Sequence, residues 1–384
     1  MIRQDTPNIV VVGAGIVGCS TAYYLAKEGF RVTVIDYSGV ASHASGFALG
    51  SLNPLGGVGI PEPLGPLSLA SFRLHNNLAS ALAQATDIDT QFRKCIATTV
   101  ALSDMEMEIL QLHLPWQQSQ EGFSVAWADT KEILTLEPRL SPSIKGGVII
   151  RDVCILDSYN LSSALKQAAE QLGANFRHGS VLGVSTSSGQ LREVHLTQES
   201  LMCEAMVVAT GPRASEAGGW LGLEIPISPL KGQILHLYAD GPPYAYVSWN
   251  GSYVVSKADG MVWVGTTEED AGYDETPTQE AQKGMMNRAI ELFPSLAGAT
   301  LVKQSACLRP VAADGLPILG LVPGIERIVV ATGGGRKGIL LGPIMGKIAA
   351  DLIANGTTDQ DIAPFALERT VDRDHPNQTD LLRF

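Results

Sequence analysis

The chain has 384 residues, 45 % of them hydrophobic and 17 % charged, with a formal net charge of −12. That length suggests two domains or one large interleaved unit with a sizeable core, and the acidic balance argues against a nucleic-acid partner, which needs a basic surface. The five scattered cysteines form no CxxC pair and read as reduced thiols, not a disulfide frame or a zinc site. Met1 to Asn8 is short and polar, so no signal peptide is expected. No apolar run is read as reaching the roughly 20 residues that span a bilayer. The expectation is a cytoplasmic protein without a transmembrane segment, with peripheral membrane contact left open.

In chain order, Ile9-Val10-Val11-Val12 runs straight into Gly13-Ala14-Gly15-Ile16-Val17-Gly18. Four β-branched residues with no polar alternation predict a strand buried on both faces. The glycines fall in the G-x-G-x-x-G pattern. Gly13 allows a tight turn, Gly15 lets the backbone approach a pyrophosphate, and Gly18 lets the next helix pack on the strand. That helix is expected from Ile16 to about Lys27, with its first N–H groups facing the phosphates. A second apolar strand, Arg31 to Ile35, ends in Asp36, 21 positions after Gly15. A carboxylate there accepts from ribose hydroxyls, and an acid in place of an arginine disfavours NADP. Strand, glycines, helix, strand and acid in this order predict dinucleotide binding.

The loop that follows is built of small and hydroxyl residues, Ser42, Ser45 and Gly46 among them, and suits backbone wrapped around a ligand. Residues 66–86 read as a helix, and 91–155 as short strands and helices in which Trp116 and Trp127 fill core or cleft positions. An amphipathic helix carries Leu161, Ala164, Leu165, Ala168, Ala169 and Leu172 on one face, with Asn160 as N-cap and Gly173 as stop. A strand from Asn175 to Gly183 and a hairpin at Ser187-Ser188-Gly189-Gln190 come next. The apolar strand Ala205 to Ala209 then ends in Thr210-Gly211-Pro212, so a parallel βαβ unit resumes after a long insertion.

Residues 216–300 alternate or carry aromatics, and predict an antiparallel sheet followed by a helix near 278–293. Ile328 to Thr332 runs into Gly333-Gly334-Gly335-Arg336-Lys337-Gly338 and a helix from about Leu340 to Ala354. This second strand–glycine loop–helix again leaves helix N–H groups facing an acceptor. The tail after Ala363 reads as polar. The fold class expected is α/β, α+β overall. A Rossmann-type nucleotide domain (1–85, 145–215 and 301–384) is interleaved with an antiparallel-sheet substrate domain (86–144 and 216–300).

Seven stretches in order resemble the D-amino-acid oxidase superfamily of FAD-dependent amine oxidoreductases, in its glycine oxidase and sarcosine oxidase branch. They are the opening glycine turn with Asp36, Ala41 to Gly46, Ala209-Thr210-Gly211-Pro212, and Pro229-Leu230-Lys231-Gly232-Gln233. Gly265-Thr266-Thr267-Glu268-Glu269, Leu308-Arg309-Pro310 through Asp314-Gly315-Leu316-Pro317, and Gly335-Arg336-Lys337-Gly338-Ile339-Leu340-Leu341 complete the set. The resemblance implies FAD in place of NAD. It places Val181 at the adenine through its backbone, and Thr210 and Gly211 near the dinucleotide. Ser42, Ser45 and Gly46 would meet the pyrophosphate or flavin. Gly334, Gly335, Arg336, Lys337, Gly338 and Ile339 would hold the isoalloxazine ring, with the positive end of the last helix at the flavin N1–C2=O edge.

The same resemblance implies that Arg309 and Tyr253 hold a substrate carboxylate and that Arg336 is a second active-site arginine. An arginine grips a carboxylate through two parallel hydrogen bonds, and a tyrosine hydroxyl adds a donor. The implied reaction moves hydride from the Cα of a small amino acid (glycine, sarcosine or a D-amino acid) to flavin N5. The resulting imine hydrolyses to a 2-oxo acid and ammonia or amine. Cys307 sits where sarcosine oxidases carry a covalent flavin, but Arg309 replaces their tyrosine two positions on, which favours non-covalent FAD. Trp263 falls near their oxygen-activating lysine, so the electron acceptor, O2 or another carrier, stays open. His43 and His236 read as structural. A quinone-linked dehydrogenase, a 2-hydroxy acid oxidase and a non-catalytic flavin-binding partner protein remain alternatives, as does a homo-oligomer.

Overall fold

A computed structural model of the chain describes residues 7–57 and 59–369. The residues before Pro7 and the end of the polar tail lie outside the described residues. The Asn8–Val12 strand lies in the middle of a six-stranded sheet. The strand order is Ile318–Leu321, Ile328–Thr332, Ala205–Val208, Asn8–Val12, Arg31–Asp36, Asn175–His178. All neighbours run parallel except the first pair. Ile9, Val10 and Val11 are wholly buried, as an apolar run without alternation requires.

Helix Ile16–Lys27 packs between Ser158–Gln171 and the last helix, Gly338–Asn355. Two glycines of the last helix make this close approach possible. A Cβ on Gly342 would lie 2.6 Å from the Ile16 side chain, and one on Gly346 would overlap Ser20. The segment Gly335–Asn355 is long and apolar enough to cross a membrane by composition, against the expectation that no such stretch exists. Of its apolar window 72 % is buried inside the protein, which places it as a core helix against the sheet.

Two local expectations change. Asp157, not Asn160, caps Ser158–Gln171: its Oδ1 accepts from Asn160 N at 2.8 Å, so the helix begins before Asn160. The strand expected from Asn175 to Gly183 divides. Asn175–His178 joins the six-stranded sheet, and Val181–Ser187 pairs with Gln190–Leu196 in a separate three-stranded sheet that Ser200–Met202 completes.

A nine-stranded sheet forms the opposing wall. Its order is Thr300–Ala312, Ile227–Tyr238, Val262–Gly265, Ser252–Ser256, Tyr246–Trp249, Arg93–Ala101, Gly146–Ile155, Ser51–Leu52, with Ser124–Asp129 paired to Gly146–Ile155. Three of these strands, Ser51–Leu52, Gly146–Ile155 and Thr300–Ala312, come from segments expected on the nucleotide side. Their partners are distant in sequence, as in Ser51 with Ile155, and pairing at that range leaves no periodic trace. Helix Asp104–Gln118 covers one end of the sheet, and Gln279–Leu292 packs on the strands around Ser252–Ser256.

Candidate active site

One cleft of about 1360 Å³ runs from the first glycine turn to the nine-stranded sheet. At the nucleotide end, Gly13 takes φ +106°, a left-handed value that favours glycine, and a Cβ there would overlap the Ala209 carbonyl. A Cβ on Gly18 would overlap the Gly13 carbonyl, so turn and helix interlock through bare backbone. The Asp36 carboxylate accepts from Ala14 N, Ser38 N and Gly39 N, each at 2.8 Å. It lines the cleft with one acceptor direction left for a ligand hydroxyl. Ser45 Oγ accepts from Ile16 N at 2.9 Å at the helix start. Ser42 also lines the cleft but turns its hydroxyl onto Ser38 O and Gly39 O.

Gly13, Gly15, Ile16, Val17, Val181, Thr210 and Gly211 are cleft residues, whereas Ala14, Gly18 and Gly46 are not. Those three act behind the wall. Ala14 bonds Asp36 through its N–H, Gly18 contacts the turn, and a Cβ on Gly46 would overlap the Ala41 carbonyl. Thr210 Oγ1 is buried on the cleft with no hydrogen-bond partner among the described residues.

The second glycine loop, Gly334 to Ile339, lines the cleft throughout. His75, which carries no motif in the sequence, is buried beneath it with Nε2 3.0 Å from the Ile339 and Leu340 carbonyls. Burial lowers its pKa to about 4, against the raising effect of those carbonyls, so it stays neutral and anchors the helix start. Lys337 extends from the loop to Asn53 O at 2.7 Å, and burial lowers its amine to about 8. Arg336 pairs through Nε and Nη2 with both oxygens of Glu268, bridging the loop to the strand end at Gly265. Its charge is thus matched within the protein. Glu268 was visible only as one acid of the Thr266-Thr267-Glu268-Glu269 motif.

The far wall is organised by two glycines. A Cβ on Gly232 would overlap the Arg309 guanidinium, and one on Gly265 would overlap the Tyr253 ring and hydroxyl. Gly265 pairs with Ile234, two residues along the same strand from Gly232. With strands about 4.8 Å apart and a rise of about 3.4 Å per residue, the two floors lie roughly 8 Å apart. The guanidinium and the phenol therefore stand on one face of the sheet, over neighbouring strands.

Arg309 donates from Nη2 to Thr266 Oγ1 at 2.7 Å and from Nη1 to Thr267 O at 3.1 Å. No ion pair to it occurs among the described residues. Burial holds the Tyr253 phenol well above its usual range, with Arg309 acting the other way, so it is a hydrogen-bond donor at neutral pH. Cys307 is buried opposite Gly232, and burial raises its thiol pKa.

Trp263 and His236 lie off the cleft, ring centroids 4.3 Å apart, with His236 Nε2 3.1 Å from Ser305 Oγ. His43 lines the cleft between the Tyr37 hydroxyl and Glu275. Trp116 is also on the cleft wall, and the half-buried Trp127 packs against the same core cluster.

A dinucleotide turn, a second glycine loop at a helix start, and a guanidinium beside a phenol share one cleft. Together they describe the flavin-dependent class of amine oxidoreductases. The chain belongs to the DAO family, described as FAD dependent oxidoreductase, which matches residues 8–352. It is 31 % identical over 369 residues to the glycine oxidase of Geobacillus kaustophilus (strain HTA426), covering 95 % of this chain and 97 % of that one. It is 30 % identical over 363 residues to the glycine oxidase of Bacillus subtilis (strain 168), covering 94 % and 96 %. A crystal structure of the Geobacillus kaustophilus glycine oxidase matches with a TM-score of 0.91 at 30 % identity, over 95 % of this chain and all of that one. The residues present fit an FAD: the buried Thr210 hydroxyl without a partner and the bare glycine turn both offer polar groups to a dinucleotide.

Proposed function

We propose that the protein oxidises the C–N bond of a small α-amino acid, with glycine, sarcosine or a D-amino acid as the substrate class. The observation that carries this reading is the convergence of Arg309 and Tyr253 over Gly232 and Gly265, in the cleft that the glycine turns also line. FAD, when bound, takes up the hydride released from the substrate Cα. The assigned holders of its dinucleotide are Gly13, Gly15, Ile16, Val17, Asp36, Ser45, Val181, Thr210 and Gly211. The loop from Gly334 to Ile339 is assigned to its ring.

Arg309 anchors the carboxylate through paired hydrogen bonds, and the protonated Tyr253 fixes its plane. Holding the carboxylate leaves Cα one bond away in a defined place, which supplies orientation. The amine reacts as the neutral form, because its lone pair assists the transfer. The cationic Arg309 and the desolvated wall both favour loss of its extra proton, so no dedicated base is needed. Arg336, matched by Glu268, joins the two walls and orients the substrate between them. The imine product is hydrolysed by water to a 2-oxo acid and ammonia or amine, and the electrons pass to O2 or another acceptor. The five unpaired cysteines support a cytoplasmic setting, and the buried, protonated Cys307 supports FAD held without a covalent link.

The test is anaerobic mixing of the purified holoenzyme with a panel of amino and hydroxy acids, following flavin absorbance. Bleaching by glycine, sarcosine or D-amino acids, with ammonia or amine released, is the expected result. Bleaching by 2-hydroxy acids alone, with keto acid and no ammonia, would overturn it.

A further inference from the structure

We propose that the segment from Glu269 to Thr278 is a gate over the dinucleotide end of the cleft, opening to pass FAD and closing over it. The inference rests on the cofactor site alone and holds whatever the substrate is.

The segment follows the strand Val262–Gly265 and runs into the helix Gln279–Leu292. One buried side chain on the neighbouring strand holds both of its feet. Gln233 donates from Nε2 to Glu269 Oε1 at 2.8 Å and to Thr278 Oγ1 at 3.1 Å, and its Oε1 accepts from Thr278 N at 2.9 Å. Glu269 and the buried Lys231 also exchange both backbone hydrogen bonds, each at 3.0 Å. An excursion whose ends meet in this way is an Ω-loop, a compact surface unit.

The tip of the loop reaches across to the nucleotide side. The Tyr273 hydroxyl donates to Pro212 O at 3.2 Å, and the Arg213 guanidinium lies 4.7 Å from the centre of the Tyr273 ring. Both carboxylate oxygens of Glu275 lie 3.2 Å from His43 Nδ1. Pro212 directly follows Gly211, and His43 stands two positions before Ser45, so the tip bridges two segments assigned to the dinucleotide. Tyr273, Glu275, Pro212, Arg213 and His43 all line the cleft.

Feet and tip are held unequally. The feet rest on buried Gln233 and Lys231, whereas Tyr273 is 43 % exposed and the His43–Glu275 pair about a third exposed. Solvated ion pairs and single exposed hydrogen bonds contribute little, so the tip lets go well before the feet. A further tether, Lys231 Nζ to Asp274 Oδ2 at 3.0 Å, ends on an exposed carboxylate. Gly272, beside the tip, takes φ +55° with no atom within 4 Å of its Cβ position, which gives the backbone a free pivot. Glu269, Asp274 and Glu275 each face a protein partner, so closure sets none of these three bare against a pyrophosphate.

The experiment follows FAD itself. Release is read from the holoenzyme as exchange of bound FAD against excess radiolabelled FAD, and uptake as quenching of FAD fluorescence by the apoprotein. Tyr273→Ala combined with Glu275→Gln removes both tip contacts and leaves the feet. Release and uptake should rise together, each by about tenfold, with the dissociation constant within about threefold of the parent. Tyr273→Phe, which removes only the hydrogen bond to Pro212, serves if the double variant does not fold, with both rates up about threefold. A side chain that merely held FAD would speed release alone and weaken binding, and damage to the fold would slow uptake. Rates that do not rise together, or that stay within twofold of the parent, would overturn the gate and leave the cofactor site standing. A parent apoprotein that takes up no FAD would overturn both.

Discussion

The two ends of the cleft both depend on glycine, for different physical reasons. At the first turn, Gly13 and Gly18 are small because backbone meets backbone: an added Cβ would run into the Ala209 and Gly13 carbonyls. At the far wall, Gly232 and Gly265 are small because side chains from neighbouring strands lie across them. The first pair sets the path of the chain. The second pair leaves a floor on which Arg309 and Tyr253 come to rest. A glycine of the first kind governs whether the fold and cofactor site form, and one of the second kind governs how well a formed site works.

The largest effect should come from the first kind. Gly18→Val places a branched side chain against a carbonyl that cannot move without the turn, so the purified protein should be colourless and poorly folded. Flavin absorbance and yield check this, and a yellow, stable variant would break the distinction. Arg309→Ala belongs to the far wall and should leave the flavin in place. It should lose on the order of 2–4 kcal/mol of transition-state binding, read as a fall in kcat/KM of roughly 30- to 900-fold at full flavin occupancy. Unchanged steady-state kinetics would remove Arg309 from the site.

The seam between the two ends yields an effect on stability. Lys257, just past the end of strand Ser252–Ser256, is buried and donates to Leu49 O at 2.7 Å and Leu156 O at 2.6 Å. Burial, partly countered by Asp157, lowers its pKa from 10.5 to about 8. Between those values the unfolded chain holds a proton that the folded chain has lost, so this residue makes stability rise with pH. Lys257→Met lacks that rise. The parent should therefore gain about 2 kcal/mol on the variant between pH 8 and pH 10.5 in urea unfolding. A difference that stays constant over that range would mean the amine is not desolvated.

The smallest effect is the most specific. Gly265→Ala pushes the Tyr253 ring from its floor without touching Arg309 or the glycine turns. KM should rise about tenfold, roughly 1.4 kcal/mol, with flavin content unchanged. Loss of flavin in this variant would mean that the two glycine pairs do not divide the work in this way.

The nucleotide end was legible because its signals are local. A buried strand, a turn, a helix and an acid follow one another within 28 residues, from Ile9 to Asp36, and each is dictated by its neighbours in the chain. The substrate end was legible only through its family motifs. Its geometry arises from pairing along Thr300–Ala312, Ile227–Tyr238, Val262–Gly265 and Ser252–Ser256, segments drawn from distant parts of the sequence. The pairing of Glu268 with Arg336, the place of His75 beneath the last helix and the burial of the Lys337 amine were not legible, since each depends on a partner from another segment.

By itself the sequence determined the class of the protein: a dinucleotide-binding α/β unit with a second glycine loop and the residues of an amine-oxidising flavoprotein. Only the tertiary structure decided which glycines stand under which side chains, which strands cross the expected domain limits, and what faces the clamp. The reason is range. Turns and caps are settled over a few residues by sterics and hydrogen bonding, whereas a binding wall is settled by strand register, where one position of slip would turn Tyr253 to the opposite face.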